Sequence, residues 1–205
     1  MSLGKLFAKY QCDKGTKHNY HEVYSKLWES LRDEPINFLE IGIFKGLSTE
    51  AFLEYFPNAK FYGIDIFTRL NPEDVPVLNN ERVKWIKGDS MHHNIRSQIK
   101  KEWKDIQFDI ILDDAKHTPE ANQLTFKNLS PFLKDNGMYL IEDVFPLHIM
   151  NVKEMNSHWV QKKSDELNYL KFQNFQKELQ GWEVTEYDLR KKSKQLESYI
   201  FKITR

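Results

Sequence analysis

The chain has 205 residues, enough for one domain with a substantial core, and its 30 Lys and Arg balance 30 Asp and Glu. That balance recommends neither nucleic acid nor an anionic membrane as partner. One cysteine, Cys12, excludes an internal disulfide framework, no run approaches the roughly 18 apolar residues of a membrane span, and Met1–Tyr10 lacks a signal-peptide core, so a cytoplasmic protein is expected.

His21–Leu31 has helical spacing and precedes a buried strand, Asn37–Ile43. Leu47–Phe56 then reads as a helix, followed by strands at Lys60–Ile66 and Val83–Gly88. His93–Lys104 is helical, Phe108–Asp113 is a strand, and Pro119–Leu133 is a helix with proline in its first turn. A strand at Gly137–Val144 leads into Phe145–Lys163, which lacks clean periodicity and reads either as a substrate lid or as a solvated connector. Ser164–Leu179 is helical, and Trp182–Leu189 and Ser198–Ile203 are strands. Only Arg190–Glu197 joins these last two, too short for a crossover helix, so they should pair as an antiparallel hairpin. The alternation predicts a single α/β domain over residues 1–205. Its sheet is Rossmann-like, seven-stranded and mostly parallel, with a C-terminal antiparallel hairpin and helices on both faces, as in the class I methyltransferases.

The turn after the first strand, Glu40-Ile41-Gly42-Ile43-Phe44-Lys45-Gly46, names a cofactor. A dinucleotide fingerprint requires G-x-G-x-x-G around a pyrophosphate. Here the spacing is G-x-x-x-G, and Glu40 would repel a pyrophosphate but attract the ammonium of an amino-acid moiety. S-adenosylmethionine fits that chemistry. Gly42 and Gly46 would let the backbone approach it, although Gly46 also reads as a close helix–sheet contact.

Every parallel strand ends in a carboxylate, at the edge where such sheets bind ligands. Asp65 is placed for ribose hydroxyls. Asp89 and Ser90 are placed for the adenine amino group, with N-capping of the next helix as the other reading of Asp89. Asp113 is counted with the cofactor contacts. Asp114 and the Glu142-Asp143 pair end adjacent strands, about 4.8 Å apart, where mutual repulsion would be relieved by a divalent cation or by a salt bridge to Lys116 or Arg96. His117 follows Asp114 by three residues and is a candidate general base.

Together with Asp13-Lys14-Gly15-Thr16-Lys17-His18-Asn19-Tyr20-His21-Glu22-Val23-Tyr24, these motifs resemble the metal-dependent sugar O-methyltransferases of the macrolide-sugar (mycinamicin) type. The resemblance runs from about Asp13 to Val144. It implies a magnesium ion on Asp114, Glu142 and Asp143, His117 as base, and a carbohydrate-like small-molecule acceptor. It also implies that residues 1–35 form a cofactor-covering segment and helix, with Lys14, Thr16 and Tyr20 as cofactor contacts. The family carries an additional N-terminal region, whereas the sequence here starts almost directly at the Asp13 motif, and a homo-oligomer is left open. A catechol-type O-methyltransferase and a non-catalytic cofactor-binding protein are the other readings. A nicotinamide dehydrogenase is disfavoured by the missing third glycine.

Overall fold

Residues 1–205 are described by a computed structural model. The strands are β1 (Asn37–Ile41), β2 (Lys60–Asp65), β3 (Val83–Lys87), β4 (Phe108–Asp113), β5 (Leu133–Ile141), β6 (Glu183–Asp188) and β7 (Tyr199–Thr204). They form one sheet in the order β3-β2-β1-β4-β5-β7-β6. β1 to β5 pair in parallel, and β7 lies antiparallel to both β5 and β6. The hairpin anticipated from the short Arg190–Glu197 connection is therefore present.

Ten α-helices cover the sheet: α1 (Leu3–Lys9), α2 (Asp13–Thr16), α3 (His21–Trp28), α4 (Leu47–Tyr55), α5 (Ile95–Trp103), α6 (Pro119–Leu129), α7 (Val152–Met155), α8 (His158–Lys162), α9 (Tyr169–Glu178) and α10 (Arg190–Ser193). One core packs α1, α3 and α4 on one sheet face, around Trp28, Phe38, Phe52 and Phe56. The other packs α5, α6 and α9 on the opposite face, around Ile111, Phe126, Tyr139 and Phe172. Trp28 is fully buried, stacked on Tyr24 at 4.2 Å and edge-on to Phe38 and Phe52, and so fixes α3 against the sheet.

Several boundaries differ from the sequence reading, each for a local reason. β1 stops at Ile41 because the chain turns at Gly42, where φ is +90°. α6 opens as expected, with the Thr118 hydroxyl accepting from the Ala121 amide at 3.3 Å and Pro119 in the first turn. It ends at Leu129 rather than Leu133, since Pro131 cannot continue it and Ser130–Phe132 tighten into a 3₁₀ turn. α9 starts at Tyr169 rather than Ser164, because the Asn168 side chain caps it by accepting from the Leu170 amide at 2.9 Å.

Five short helices were not revealed by periodicity: α1, α2, α7, α8 and α10. α1 buries Leu3, Leu6 and Phe7 at helical spacing, within only seven residues. Phe145–Lys163 holds α7, closed by an Asn151/Glu154 capping box, and α8, capped by Ser157. Each is under two turns long, too short for a repeating apolar stripe. Phe145, Leu147 and Val160 are buried, so the segment packs onto the domain.

Candidate active site

Parallel strands deliver their terminal side chains and loops to one edge, and a cavity of about 1090 Å³ lies there. Its walls come from the loops after β1 to β5, from residues 11–20 and from Lys163 and Glu166. The volume exceeds the usual range of about 300–1,000 Å³ for a single small-molecule pocket, which leaves room for a cofactor and an acceptor together.

On one side stands the Gly42 loop. The Asp65 carboxylate ties this loop to the next, accepting from the Phe44 amide at 2.9 Å and the Phe67 amide at 2.7 Å. Phe44 and Phe67 both have φ of +49°, a conformation non-glycine residues rarely adopt. Asp65 lines the cavity, and each of its oxygens, with one donor, has capacity for a second such as a ribose hydroxyl. Asp89 is exposed on the cavity wall and accepts from the Met91 amide at 2.9 Å. It does not cap α5, which begins six residues later behind Asn94. Ser90 is buried, and its hydroxyl shares a 3.0 Å hydrogen bond with Thr125.

Four of the expected cofactor contacts sit elsewhere. Glu40 is 1% exposed and lies beneath the cavity wall, its two oxygens taken by the Ser48 and Thr49 hydroxyls in the first turn of α4. Burial pushes its carboxyl up despite Lys14 and these donors. Gly46 is not in the cavity wall; it packs against Val75 and Val77 in the connection between β2 and β3, a close contact but not the helix–sheet one expected. Asp113 follows the strand pleat to the α6 face, opposite its neighbour Asp114. Burial there pushes it up to about 7, against the Ala115 amide and Asn122. Thr16 is exposed, and its hydroxyl donates back to the Cys12 carbonyl at 3.1 Å.

Across the cavity the three carboxylates on β4 and β5 meet. The Lys14 ammonium, buried to 2% exposure, pairs with both Asp114 and Glu142. Neither Lys116 nor Arg96 fills that role: Lys116 is exposed, and an Arg96 guanidinium nitrogen donates to the Lys127 carbonyl. Burial alone would push Lys14 down, but Asp114 and Glu142 hold it charged, well above the usual lysine range. Tyr24 donates to the other Glu142 oxygen, and Tyr20 donates to Asp143. Burial pushes Glu142 up, and the Lys14 ammonium opposes it.

His117 bridges the remaining oxygens. Its Nε2 lies 3.0 Å from Asp114 Oδ1 and its Nδ1 3.4 Å from Asp143 Oδ2. Burial would lower this imidazole, but the two carboxylates outweigh it and push it up to about 9. Burial would raise Asp114, whereas Lys14 and His117 hold it well below the usual carboxylate range. Asp114, His117 and Asp143 each offer a ligand atom, all within 4.8 Å of one another. Hard carboxylate oxygens suit a divalent cation; in this structure those of Asp114 are engaged by Lys14 and His117, and those of Glu142 by Lys14 and Tyr24.

Three contributors escaped the sequence reading. Tyr24 lies one helical turn from Tyr20, a spacing that the motif displays. His18 is buried at 2.7 Å from Ser198, across 180 residues of sequence. Lys163 lies over the rings of Phe145 and Trp159 and reaches the cavity from a segment without a readable pattern.

The strand order, the C-terminal hairpin and the cavity at the carboxyl edge define a Rossmann-like class I methyltransferase fold. The chain belongs to a methyltransferase domain family, whose model matches residues 39–144. It is 28% identical over 151 residues to the 8-demethyl-8-(2-methoxy-alpha-L-rhamnosyl)-tetracenomycin-C 3'-O-methyltransferase of Streptomyces olivaceus, covering 70% of this chain and 37% of that protein. It is 26% identical to the mycinamicin VI 2''-O-methyltransferase of Micromonospora griseorubida, covering 70% and 36%. The chain thus spans little more than a third of the length of these relatives. Among solved structures, the MycE methyltransferase of the mycinamycin biosynthetic pathway, in complex with Mg and SAH, matches with a TM-score of 0.71 at 20% identity. The match covers all of this chain and 54% of that one. A putative caffeoyl-CoA O-methyltransferase from Staphylococcus aureus matches with a TM-score of 0.61 at 17% identity, covering 90% and 82%.

Proposed function

We propose that the chain transfers the methyl group of S-adenosylmethionine to a hydroxyl of a sugar or glycosylated small molecule in the cytoplasm, with a divalent ion, magnesium, at the acidic cluster. One observation carries the reading: the His117 imidazole is held between Asp114 and Asp143 on the wall of a cavity that also contains the Gly42 loop and Asp65. The family membership and the sugar O-methyltransferase names of the relatives support the same chemistry.

A sugar hydroxyl is a poor nucleophile until it loses its proton. In this structure the pull of Asp114 and Asp143 keeps His117 protonated, with a ring nitrogen facing each; an ion bound to those carboxylates would weaken that pull and let a neutral His117 take the acceptor's proton. Asp65 orients the cofactor through its ribose, and the Gly42 loop lets it lie close to the backbone. Tyr20 and Tyr24 fix Asp143 and Glu142, so the acidic set keeps its shape. S-adenosylmethionine supplies an electrophilic methyl on a good leaving group. Asp114, Glu142 and Asp143 would hold a divalent ion, which would supply a Lewis acid for the acceptor hydroxyl and would relieve the upward pull on His117.

The test is isothermal titration of the protein with S-adenosylhomocysteine. Saturable one-to-one binding is expected, weakened by Asp65→Asn. No binding by the unaltered protein contradicts the reading.

A further inference from the structure

Beside the large cavity lies a smaller one of about 470 Å³, lined by Trp159, Lys162, Lys163, Asp165 and Glu166. These residues form α8 and the turn after it, which the Glu166 and Leu167 amides close by donating to the Lys163 carbonyl at 2.9 and 2.7 Å. The two cavities share Lys163 and Glu166, but His117 lines only the large one and Trp159 only the small one. A ring whose hydroxyl faces His117 thus leaves Trp159 to whatever is attached to that ring.

The chemistry of the small wall indicates its occupant. Trp159 is 45% exposed. The half-buried Lys163 lies 5.4 Å from its ring centroid and 5.7 Å from that of buried Phe145, which fastens the turn to the domain. An indole open to a concavity offers its negative face to the C–H bonds of a ligand. Around it, Lys162, Lys163, Asp165 and Glu166 make no ion pair, whereas Lys171 on the next helix bridges to Glu120 at 3.0 Å. Their side chains are therefore available donors and acceptors. An apolar aglycone would cover these groups without replacing their water, which is costly. A phosphate or carboxylate would meet two carboxylates as well as two ammonium groups. A neutral ring with hydroxyls on its rim and C–H bonds on its face suits both the indole and the balanced charges.

We propose that the α8 turn is a second acceptor subsite, which takes a neutral sugar ring linked to the one that is methylated and stacks it on Trp159. The acceptor is then a disaccharide or longer glycoside rather than a single sugar unit. Placing the methylated ring at His117 rests on the methyl-transfer reading; occupancy of the Trp159 subsite does not.

The test titrates the full chain, with Mg²⁺ and S-adenosylhomocysteine added, with neutral methyl disaccharides of glucose, galactose, mannose and rhamnose and with the methyl monosaccharides of the same sugars. Binding is read by NMR at the Trp159 indole N–H, assigned among the five tryptophans with Trp159→Phe. At least one disaccharide should shift that signal saturably and bind about tenfold more tightly than its monosaccharide, or better. Trp159→Ala should remove this advantage while holding monosaccharide and S-adenosylhomocysteine affinities within about twofold. Trp159→Phe keeps an aromatic face and should retain most of the advantage. The proposal is overturned if no disaccharide shifts the Trp159 signal, or if mono- and disaccharides bind equally. A shift with glucuronate or catechol but with no neutral disaccharide overturns it as well, in favour of an anionic or aromatic occupant. S-adenosylhomocysteine binding without sugar decides the methyl-transfer reading independently.

Discussion

A Cβ added at Gly42 would lie 2.2 Å from the carbonyl oxygen of Asp114. The loop assigned to the cofactor and the loop that carries the acid–base pair therefore touch through backbone, with no side chain free to yield. Gly42→Ala should destabilise the fold by about 1–3 kcal/mol through overpacking, with the φ of +90° adding strain. Both S-adenosylhomocysteine and Mn²⁺ binding should weaken together. Urea unfolding and the two titrations check this; loss of one ligand alone would separate the loops.

His117→Gln should lower the rate of methyl transfer by about 10²–10⁴-fold, the usual span for a general base. Its S-adenosylhomocysteine affinity should stay near that of the unaltered protein, since the imidazole contacts Asp114 and Asp143 rather than the Gly42 loop. Single-turnover kinetics alongside calorimetry distinguish this from a folding defect.

The same histidine gives the chelated protein a pH signature. Its pKa is raised from 6.5 to about 9 in the folded chain. A raised histidine holds its proton more tightly when folded, so its stabilising contribution is complete below about pH 6.5 and is lost as pH rises through about 9. In EDTA the urea midpoint should fall across that window, and His117→Gln should flatten the fall. A midpoint that rises with pH in this window in the unaltered protein contradicts the assignment.

Tyr24→Phe removes the hydroxyl donor of a buried carboxylate oxygen. A cost of about 1–3 kcal/mol is expected for the acceptor left unsatisfied. Trp28→Ala, at the end of the same helix, should cost about 3–5 kcal/mol. Urea denaturation measures both, and a neutral Tyr24→Phe would mean that Glu142 does not depend on α3.

Asp65→Asn keeps one acceptor for the Phe44 and Phe67 amides but removes the charge. S-adenosylhomocysteine should bind about tenfold more weakly or worse, as expected for hydrogen bonds to a charged group. Adenine alone, which lacks the ribose, should be indifferent to the change.

Strand ends were the most legible part of this chain. β4 runs from Phe108 to Asp113 as its apolar block suggests, and the brevity of Arg190–Glu197 dictated the hairpin. The direction of individual side chains was less legible. Adjacent Asp113 and Asp114 fall on opposite faces of the pleat, and Glu40 is drawn to the hydroxyls of Ser48 and Thr49, which sit one helical turn past a glycine. The counter-ion of the acidic set was invisible for a different reason. Lys14 lies 100 residues from Asp114 and 128 from Glu142, and only the tertiary fold brings it there in place of the nearer Lys116.

The central claim is methyl transfer to a sugar hydroxyl at a divalent-ion site. It is tested most directly by following labelled methyl from S-adenosylmethionine into a panel of glycosides and catechols, with added Mg²⁺ and with EDTA. The account predicts label on a glycoside hydroxyl, abolished by EDTA and by His117→Gln. Label on catechols alone, or undiminished glycoside labelling in EDTA, would contradict it.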